Sequence, residues 1–220
     1  MRENLVEKRS KEEGIKDNSN YLRGTIAKGL GDPLTGAIAE DDAKLLKFHG
    51  SYQQHDRDLE KERRQQKLEP LYQLMLRVRI AGGVTTPEQW LVMDELADRY
   101  GNGTLKLTTR QSIQMHGILK GNLKPTIKTI NEALMTTIAT CGDVNRNVMC
   151  NPNPYQSKVH GQVYALAREV SDYFQPRTKA YYELWLDHKR EIEVPDQEPL
   201  YKKTYLPRKF KIAFCIPPHN

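Results

Sequence analysis

Cysteine is scarce in this chain. Three thiols in 220 residues, Cys141, Cys150 and Cys215, are odd in number and widely spaced. They form neither a disulfide framework nor a paired-cysteine metal knuckle, which predicts a reducing cytoplasmic setting. Long apolar runs are missing too. No stretch approaches the ~18 residues that a membrane helix needs, and the polar start from Met1 to Arg9 has no apolar centre of the signal-peptide kind. The expectation is neither a secreted nor a membrane-spanning protein. No short repeat or low-complexity tract is visible.

Charge is what the chain does have. Apolar residues make up 38% and charged residues 28%, a polar but globular composition. Basic residues outnumber acidic ones 34 to 28, for a net charge of +6. That excess suits an anionic partner without naming it. The length suffices for one large domain or two small ones with a real core.

Residues 1–70 read as a polar, irregular segment. Gly24, Gly29, Gly31, Pro33 and Gly36 predict extended loop between Tyr21 and Ile38. The charged run from Asp56 to Glu69 predicts a turn and a solvated surface piece. The pattern sharpens after Pro70. Leu76, Val78 and Ile80 alternate with Arg77 and Arg79, the period of a half-buried strand, and Gly82-Gly83 ends it. Thr86, Pro87 and Gln89 form a helix-start signature, with Trp90, Met93, Leu96 and Ala97 at helical spacing and a stop at Tyr100–Gly103. Thr104–Thr108 and Ser112–His116 read as short strands. A helix is expected from Pro125, with Ile127, Ile130 and Leu134 on one face, followed by a β-branched strand over Thr136–Thr140.

That order, βαββαβ over residues 74–140, is the ferredoxin-like split arrangement. It hosts many functions and selects none. The predicted fold class is therefore α+β: a ferredoxin-like half-domain over 71–140, then the start of a second α+β domain over 141–220. In the latter, 142–154 reads as loop and Ser157–Phe174 as a helix lined by Val159, Val163, Leu166 and Val170. Tyr181–Leu186 reads as a strand, 188–203 as a charged connector and Arg208–Ile216 as a last strand. The stop soon after that strand suggests a piece of a longer polypeptide. Trp90, Trp185, Tyr181, Tyr182 and the three cysteines are assigned to the core.

Four basic clusters stand out: Arg77 with Arg79, Lys106 with Arg110, Arg146, and Arg208-Lys209-Phe210-Lys211. Any one pair alone reads as a solvated strand face. Together they suggest a pocket for a polycarboxylate or a small oxyanion, because Arg offers a fixed fork of donors and Lys a compact charge.

Several blocks carry a resemblance: Asn20–Ile26 (NYLRGTI), Phe48-His-Gly50 with Tyr52-Gln-Gln54, Leu76–Arg79 with Gly82-Gly83, and Leu107–Gln111 with His116–Lys120. They continue through Asn145–Val148 (NRNV), Asn153-Pro-Tyr155 and Thr204–Lys211 (TYLPRKFK). Over about residues 18–220 the chain resembles the N-terminal part of the assimilatory sulfite reductase hemoproteins, the β-component of the NADPH-linked enzyme, in the nitrite/sulfite reductase superfamily. The resemblance implies a six-electron reduction of sulfite to sulfide in sulfur assimilation and cysteine biosynthesis, at a siroheme coupled to a [4Fe-4S] cluster. It implies Lys106, Thr108, Arg110, Gln114, His116 and Arg208 against siroheme, and Arg77, Arg146, Lys209 and Lys211 as the sulfite-binding cations. His116 is expected to bond a siroheme carboxylate and not the iron; His49, His55, His160, His188 and His219 carry no comparable signal.

Three positions depart from the family pattern. Lys106 stands where Arg is usual, and Thr109 and Gly142 where Asn is common. The cluster cysteines of the family lie in its C-terminal half, and the three here lack their spacing, so this chain has no metal ligands and is expected to be inactive alone. The implied electron donor is an NADPH-dependent flavoprotein, with ferredoxin as the other possibility. A siroheme nitrite reductase shares the pocket chemistry. A basic nucleic-acid-binding module is the alternative of another class, opposed by the lack of stacking aromatics on the candidate strands. A non-catalytic fragment that only binds a partner is the third.

Overall fold

The computed structural model describes residues 10–187 and 198–218. Its centre is a four-stranded antiparallel sheet in the order β1-β2-β4-β3, with β1 at Ser51–His55, β2 at Tyr72–Val78, β3 at Leu105–Leu107 and β4 at Ile113–Ile118. Alternation along β2 and β4 sends Leu74, Leu76, Val78, Ile113, Met115 and Ile118 to one face, all 3% exposed or less. Burying a side chain of this size stabilises the fold by roughly 2 kcal/mol. The pairing jumps from Leu76↔Met115 to Leu74↔Ile118, so β4 holds one extra residue there. Gly117, at φ +84°, absorbs it, and Met115 and Ile118 both keep to the core.

Helices α5 (Pro87–Tyr100) and α6 (Lys120–Glu132) cover that apolar face. The start of α5 follows from its sequence: Gln89 N–H donates to Thr86 Oγ1 at 3.2 Å and Thr86 N–H to Gln89 Oε1 at 3.1 Å, with Pro87 at the first position. The start of α6 is earlier than expected. A full turn precedes Pro125, which lies inside the helix.

The expected strand over Thr136–Thr140 does not form; one bridge, Arg79↔Thr136, is all that remains of it. Threonine hydroxyls capture the backbone locally instead. Thr140 Oγ1 donates to Thr137 O at 2.8 Å and Ile138 N–H to Thr136 Oγ1 at 3.2 Å, and Ala139 sits at φ +58°. The sheet edge beside β2 is filled by β1 from the N-terminal region. That region is correspondingly less irregular than its glycines suggest. It carries α1 (Lys11–Asp17), α2 (Ile26–Gly31), α3 (Glu40–Leu45) and the exposed α4 (Glu60–Gln65). Leu22, Ile26, Ile38, Leu45, Leu46 and Phe48 join the core of the sheet.

Residues 181–186 form a helix, not a strand: α8 spans Ala180–Trp185. A strand would bury Glu183 along with Tyr181 and Trp185. The helix buries the two aromatics and frees Glu183 to meet Arg23, with Nε–Oε2 at 2.6 Å. Trp90 and Tyr182, assigned to the core from sequence, are 41% and 46% exposed, and Cys215 is exposed while Cys141 and Cys150 are buried. Helix α7 (Lys158–Tyr173) lies where expected, but its buried stripe is His160, Ala167 and Ser171, leaving Val159 and Leu166 exposed. Residues 208–216 also fail to form a strand. They run parallel to 145–149 and touch it at two bridges, Asn145↔Phe210 and Met149↔Ala213. Most of the expected charged connector, 188–197, lies outside the described residues, as does His219.

Candidate anion-binding site

The second face of the sheet carries polar and charged side chains. Pairing Arg77↔Gln114 and Lys106↔Gln114 sets Lys106, Gln114 and Arg77 in a row across three strands. Tyr52↔Met75 and Gln54↔Gln73 extend that face onto β1. With its amide turned to satisfy both groups, Gln114 accepts from Arg77 Nε at 3.1 Å and Nη2 at 2.5 Å. His116, two residues further along β4, meets Gln54 Oε1 through Nδ1 at 3.1 Å. Partial burial, then the Lys106 and Arg77 charges, hold the His116 pKa below its ordinary value. A neutral His116 that donates from Nδ1 presents a lone pair at Nε2, so it accepts a proton donor there and meets a carboxylate only when protonated.

The loop after residue 140 brings the other cations to this face. Arg77 Nη1 lies 3.3 Å from Thr140 O and 3.0 Å from Cys141 Sγ. Arg146 donates from Nη1 to Thr140 O at 3.2 Å and from Nε to Gly142 O at 2.8 Å. Arg110 donates to Ile212 O at 3.2 Å, against the segment that carries Lys209 and Lys211. The Lys211 pKa is lowered by Arg110 first, then Lys209, with Arg146 and Arg77 adding smaller pushes. Among the described residues, none of Lys106, Arg77, Arg110, Arg146, Lys209 or Lys211 forms a salt bridge. Uncompensated charges of one sign held this close raise the potential of the face and favour an anion.

One of the sequence candidates stands apart from the cluster, and another lies at its edge. Thr108 is used inside the β3–β4 turn, where its Oγ1 accepts from Arg110 N–H at 3.2 Å and Ser112 N–H at 3.3 Å. Arg208 lines a cavity of about 400 Å³ beside the face, shared with Lys47, Tyr52, Arg146 and Lys209. Arg79, clustered with Arg77 in the sequence, is not part of the site. It is 6% exposed and donates to Ser171 Oγ at 2.9 Å and Ser171 O at 3.0 Å, bracing the end of β2 against α7. Burial lowers its pKa to about 10, so it stays charged at neutral pH.

The sequence reading also missed residues. Tyr52 lies at the cation cluster, and its pKa is raised by burial first and then by Cys141, with Arg146 and Arg77 opposing. Cys141 and Lys47 join it at the edge. Alternation along Ser51–His55 was the available signal for Tyr52 and Gln54; nothing local marked Cys141.

Comparison with known proteins decides the family. Residues 65–133 match the nitrite/sulfite reductase ferredoxin-like half domain. Relatives described as sulfite reductase [NADPH] hemoprotein beta-component are 62% identical in Anoxybacillus flavithermus, 60% in Staphylococcus haemolyticus and 63% in Oceanobacillus iheyensis, over 94%, 100% and 94% of this chain. The chain belongs to the nitrite/sulfite reductase superfamily. It spans 37%, 39% and 36% of the length of those three relatives. The matched half domain runs from just before β2 to the end of α6. Arg77, Lys106, Arg110, Gln114 and His116 fall inside it, whereas Arg146, Arg208, Lys209 and Lys211 fall beyond. The fold is shared with the solved structure of the Mycobacterium tuberculosis NirA protein, at TM-score 0.57 and 20% identity, over 88% of this chain and 35% of that one.

Proposed function

We propose that this chain supplies the cationic wall on which a sulfite reductase hemoprotein holds siroheme and sulfite. The observation that carries the reading is the clustering of Arg77, Arg110, Arg146, Lys209 and Lys211 about one sheet face, with no carboxylate paired to them among the described residues. Siroheme is a polycarboxylate macrocycle, and this donor set fits it: Lys106, Arg110, Gln114 and Arg208 would take its carboxylates. Charge-assisted hydrogen bonds contribute about 1.5–3 kcal/mol each. When bound, siroheme would supply the iron at which electrons reach the sulfur oxyanion.

The chain's own residues bind the oxyanion and manage protons. Arg77 and Arg146 hold it, because a guanidinium stays charged throughout the working pH range. Lys211, its pKa lowered by neighbouring cations, gives up a proton more readily than a free lysine and suits proton delivery as sulfite loses oxygen as water. Lys209 adds charge beside it. A [4Fe-4S] cluster does not fit here: the described residues contain no group of three or more His, Cys, Asp or Glu side chains able to hold a metal ion. In this reading, as the resemblance implies, electron delivery lies in other parts of the hemoprotein. The relatives' names carry NADPH and sulfite, which supports NADPH as the electron source and sulfite in preference to nitrite; a flavoprotein partner, in preference to ferredoxin, is our reading of the donor. Among the described residues no helix is long and apolar enough to cross a membrane; the three free cysteines suit a cytoplasmic setting.

The test grafts this chain in place of the matching segment of the Oceanobacillus iheyensis relative and expresses it in cells that make siroheme. Siroheme absorption bands that shift on adding sulfite support the reading. A folded but colourless graft overturns it.

A further inference from the structure

One carboxamide lies where the segments carrying the three arginines meet. Asn147 is 1% exposed. Its Nδ2 donates to Ile80 O at 2.6 Å, Arg110 O at 2.9 Å and Gln111 O at 3.0 Å. Its Oδ1 accepts from Ile80 N–H at 3.0 Å. A primary amide has two N–H bonds and an oxygen with two lone pairs, so both N–H bonds are engaged, one of them shared between two carbonyls, and the oxygen accepts once. Three segments converge on it: the end of the β2 extension that carries Arg77, the β3–β4 turn that carries Arg110, and the loop in which Arg146 is its immediate neighbour. The main-chain oxygen of Asn147 also lies 3.5 Å from Arg110 Nη1. Gln111 forms a second brace on the same turn, donating to Cys150 O at 2.6 Å and accepting from Cys150 N–H at 3.2 Å.

The need for a brace follows from charge. Arg77, Arg110 and Arg146 repel one another, and the last two sit outside the strands, Arg110 in a turn and Arg146 on a loop whose backbone is tied by isolated bridges to Phe210 and Ala213 and by Gly82 N–H to Val148 O at 2.9 Å. A turn and a loop held only by their own backbone would splay until the charges relaxed. Asn147 joins both to the rigid end of β2 through buried bonds, where each acceptor it leaves would be stranded without water.

We propose that Asn147 is the positioning residue of the anion site, fixing Arg77, Arg110 and Arg146 relative to one another. This deepens the sulfite reading and rests on it for the identity of the anion. Asn147 touches no reacting group; it acts through the arginines.

The test uses the whole 220-residue chain, isotope-labelled, as wild type, Asn147→Ala and Asn147→Asp. Three quantities are read: the core amide resonances of Leu76 and Ile113, the arginine Nε–H resonances without ligand, and the dissociation constant for inorganic sulfite. The expected result for Asn147→Ala is an unmoved core, displaced Nε–H signals for Arg77, Arg110 and Arg146 together, and sulfite affinity down at least tenfold. A residue that served stability alone would lower the melting temperature and leave the arginine signals in place, and that outcome overturns the proposal. If neither variant folds, wild type decides. The Asn147 carboxamide protons should exchange with water at least 100-fold more slowly than those of exposed Asn153, and equal rates overturn the proposal. A wild-type chain that bound no sulfite would count against the functional reading, while the arginine signals would still test the positioning.

Discussion

Arg77 and Arg146 donate to the same carbonyl oxygen, that of Thr140, at 3.3 and 3.2 Å. Two guanidinium groups from segments far apart in sequence are thus held together by one neutral dipole. A carbonyl fixes their positions without cancelling their charge, so the repulsion between them is relieved only when an anion arrives.

Replacing Arg77 with Lys keeps the charge and removes the fork. Arg77→Lys can no longer reach Gln114, Thr140 O and Cys141 Sγ together. Sulfite affinity should fall by about ten- to a hundredfold, the equivalent of one charge-assisted hydrogen bond of about 1.5–3 kcal/mol. Calorimetric titration measures it; an unchanged dissociation constant would remove Arg77 from the site.

Lys211 should show the opposite sides of the same repulsion. Its pKa is lowered on folding, chiefly by Arg110 and then Lys209, so the folded state binds that proton less well than the unfolded state does. Its charged form therefore costs stability at neutral pH, and the cost fades as pH rises from the lowered folded value to the ordinary lysine value of 10.5, above which none remains. Lys211→Gln should melt higher than wild type at pH 7 without ligand, with the gap closing at alkaline pH, and should bind sulfite more weakly. A lower melting temperature at pH 7 would contradict the repulsion.

His49 predicts acid sensitivity. Burial lowers its pKa from 6.5 to about 4. Nδ1 accepts from Trp185 Nε1–H at 3.1 Å, and Nε2 lies 2.9 Å from Leu22 O, which requires the neutral ring. The unfolded chain takes up the proton near 6.5 and the folded one only near 4. Stability from this group is complete above the unfolded value, falls as pH drops between the two, and falls no further below. The loss amounts to about 3 kcal/mol. Urea denaturation at pH 7 and pH 4.5 should show it, and His49→Gln should flatten the slope while lowering stability at pH 7.

At Gly142, where the resemblance implies Asn, the backbone resists one. Its φ is +83°, and a Cβ would stand 2.8 Å from Phe48 Cγ. Phe48 is itself packed edge-on against Tyr205, with ring centroids 5.1 Å apart. Gly142→Asn should destabilise the chain by about 1–3 kcal/mol, read as a lower urea midpoint. A neutral effect would mean that the Phe48 ring yields easily.

Helix α5 and strands β2, β3 and β4 were legible in the sequence because their signals are local. A capping box, an alternation of Leu76 and Val78 with Arg77, and a glycine stop act within a few residues. The failures share one cause. Thr136–Thr140 has strand composition, but its hydroxyls bond the nearby backbone. Tyr181–Leu186 reads as a strand, but it folds as a helix because His49, Thr137 and Asn131 receive Trp185 and Tyr181. The glycines of residues 21–38 suggest loop until Leu22, Ile26 and Ile38 find the sheet's core.

The same division applies to the site. The sequence by itself determined the residue types: an excess of Arg and Lys, placed at alternate positions of short strands or in tight loops, in blocks specific enough to identify the superfamily. Only the tertiary structure decided which cations act together. It turned Arg79 inward to brace α7, placed Thr108 inside a turn, added Tyr52 and Cys141, and brought the segments that carry Arg77, Arg110 and Arg146 together at the Asn147 amide. The physical reason is range. Alternation and capping are settled by neighbours within one turn or one strand, whereas mutual repulsion and shared acceptors depend on distances through space between segments that the chain order keeps apart.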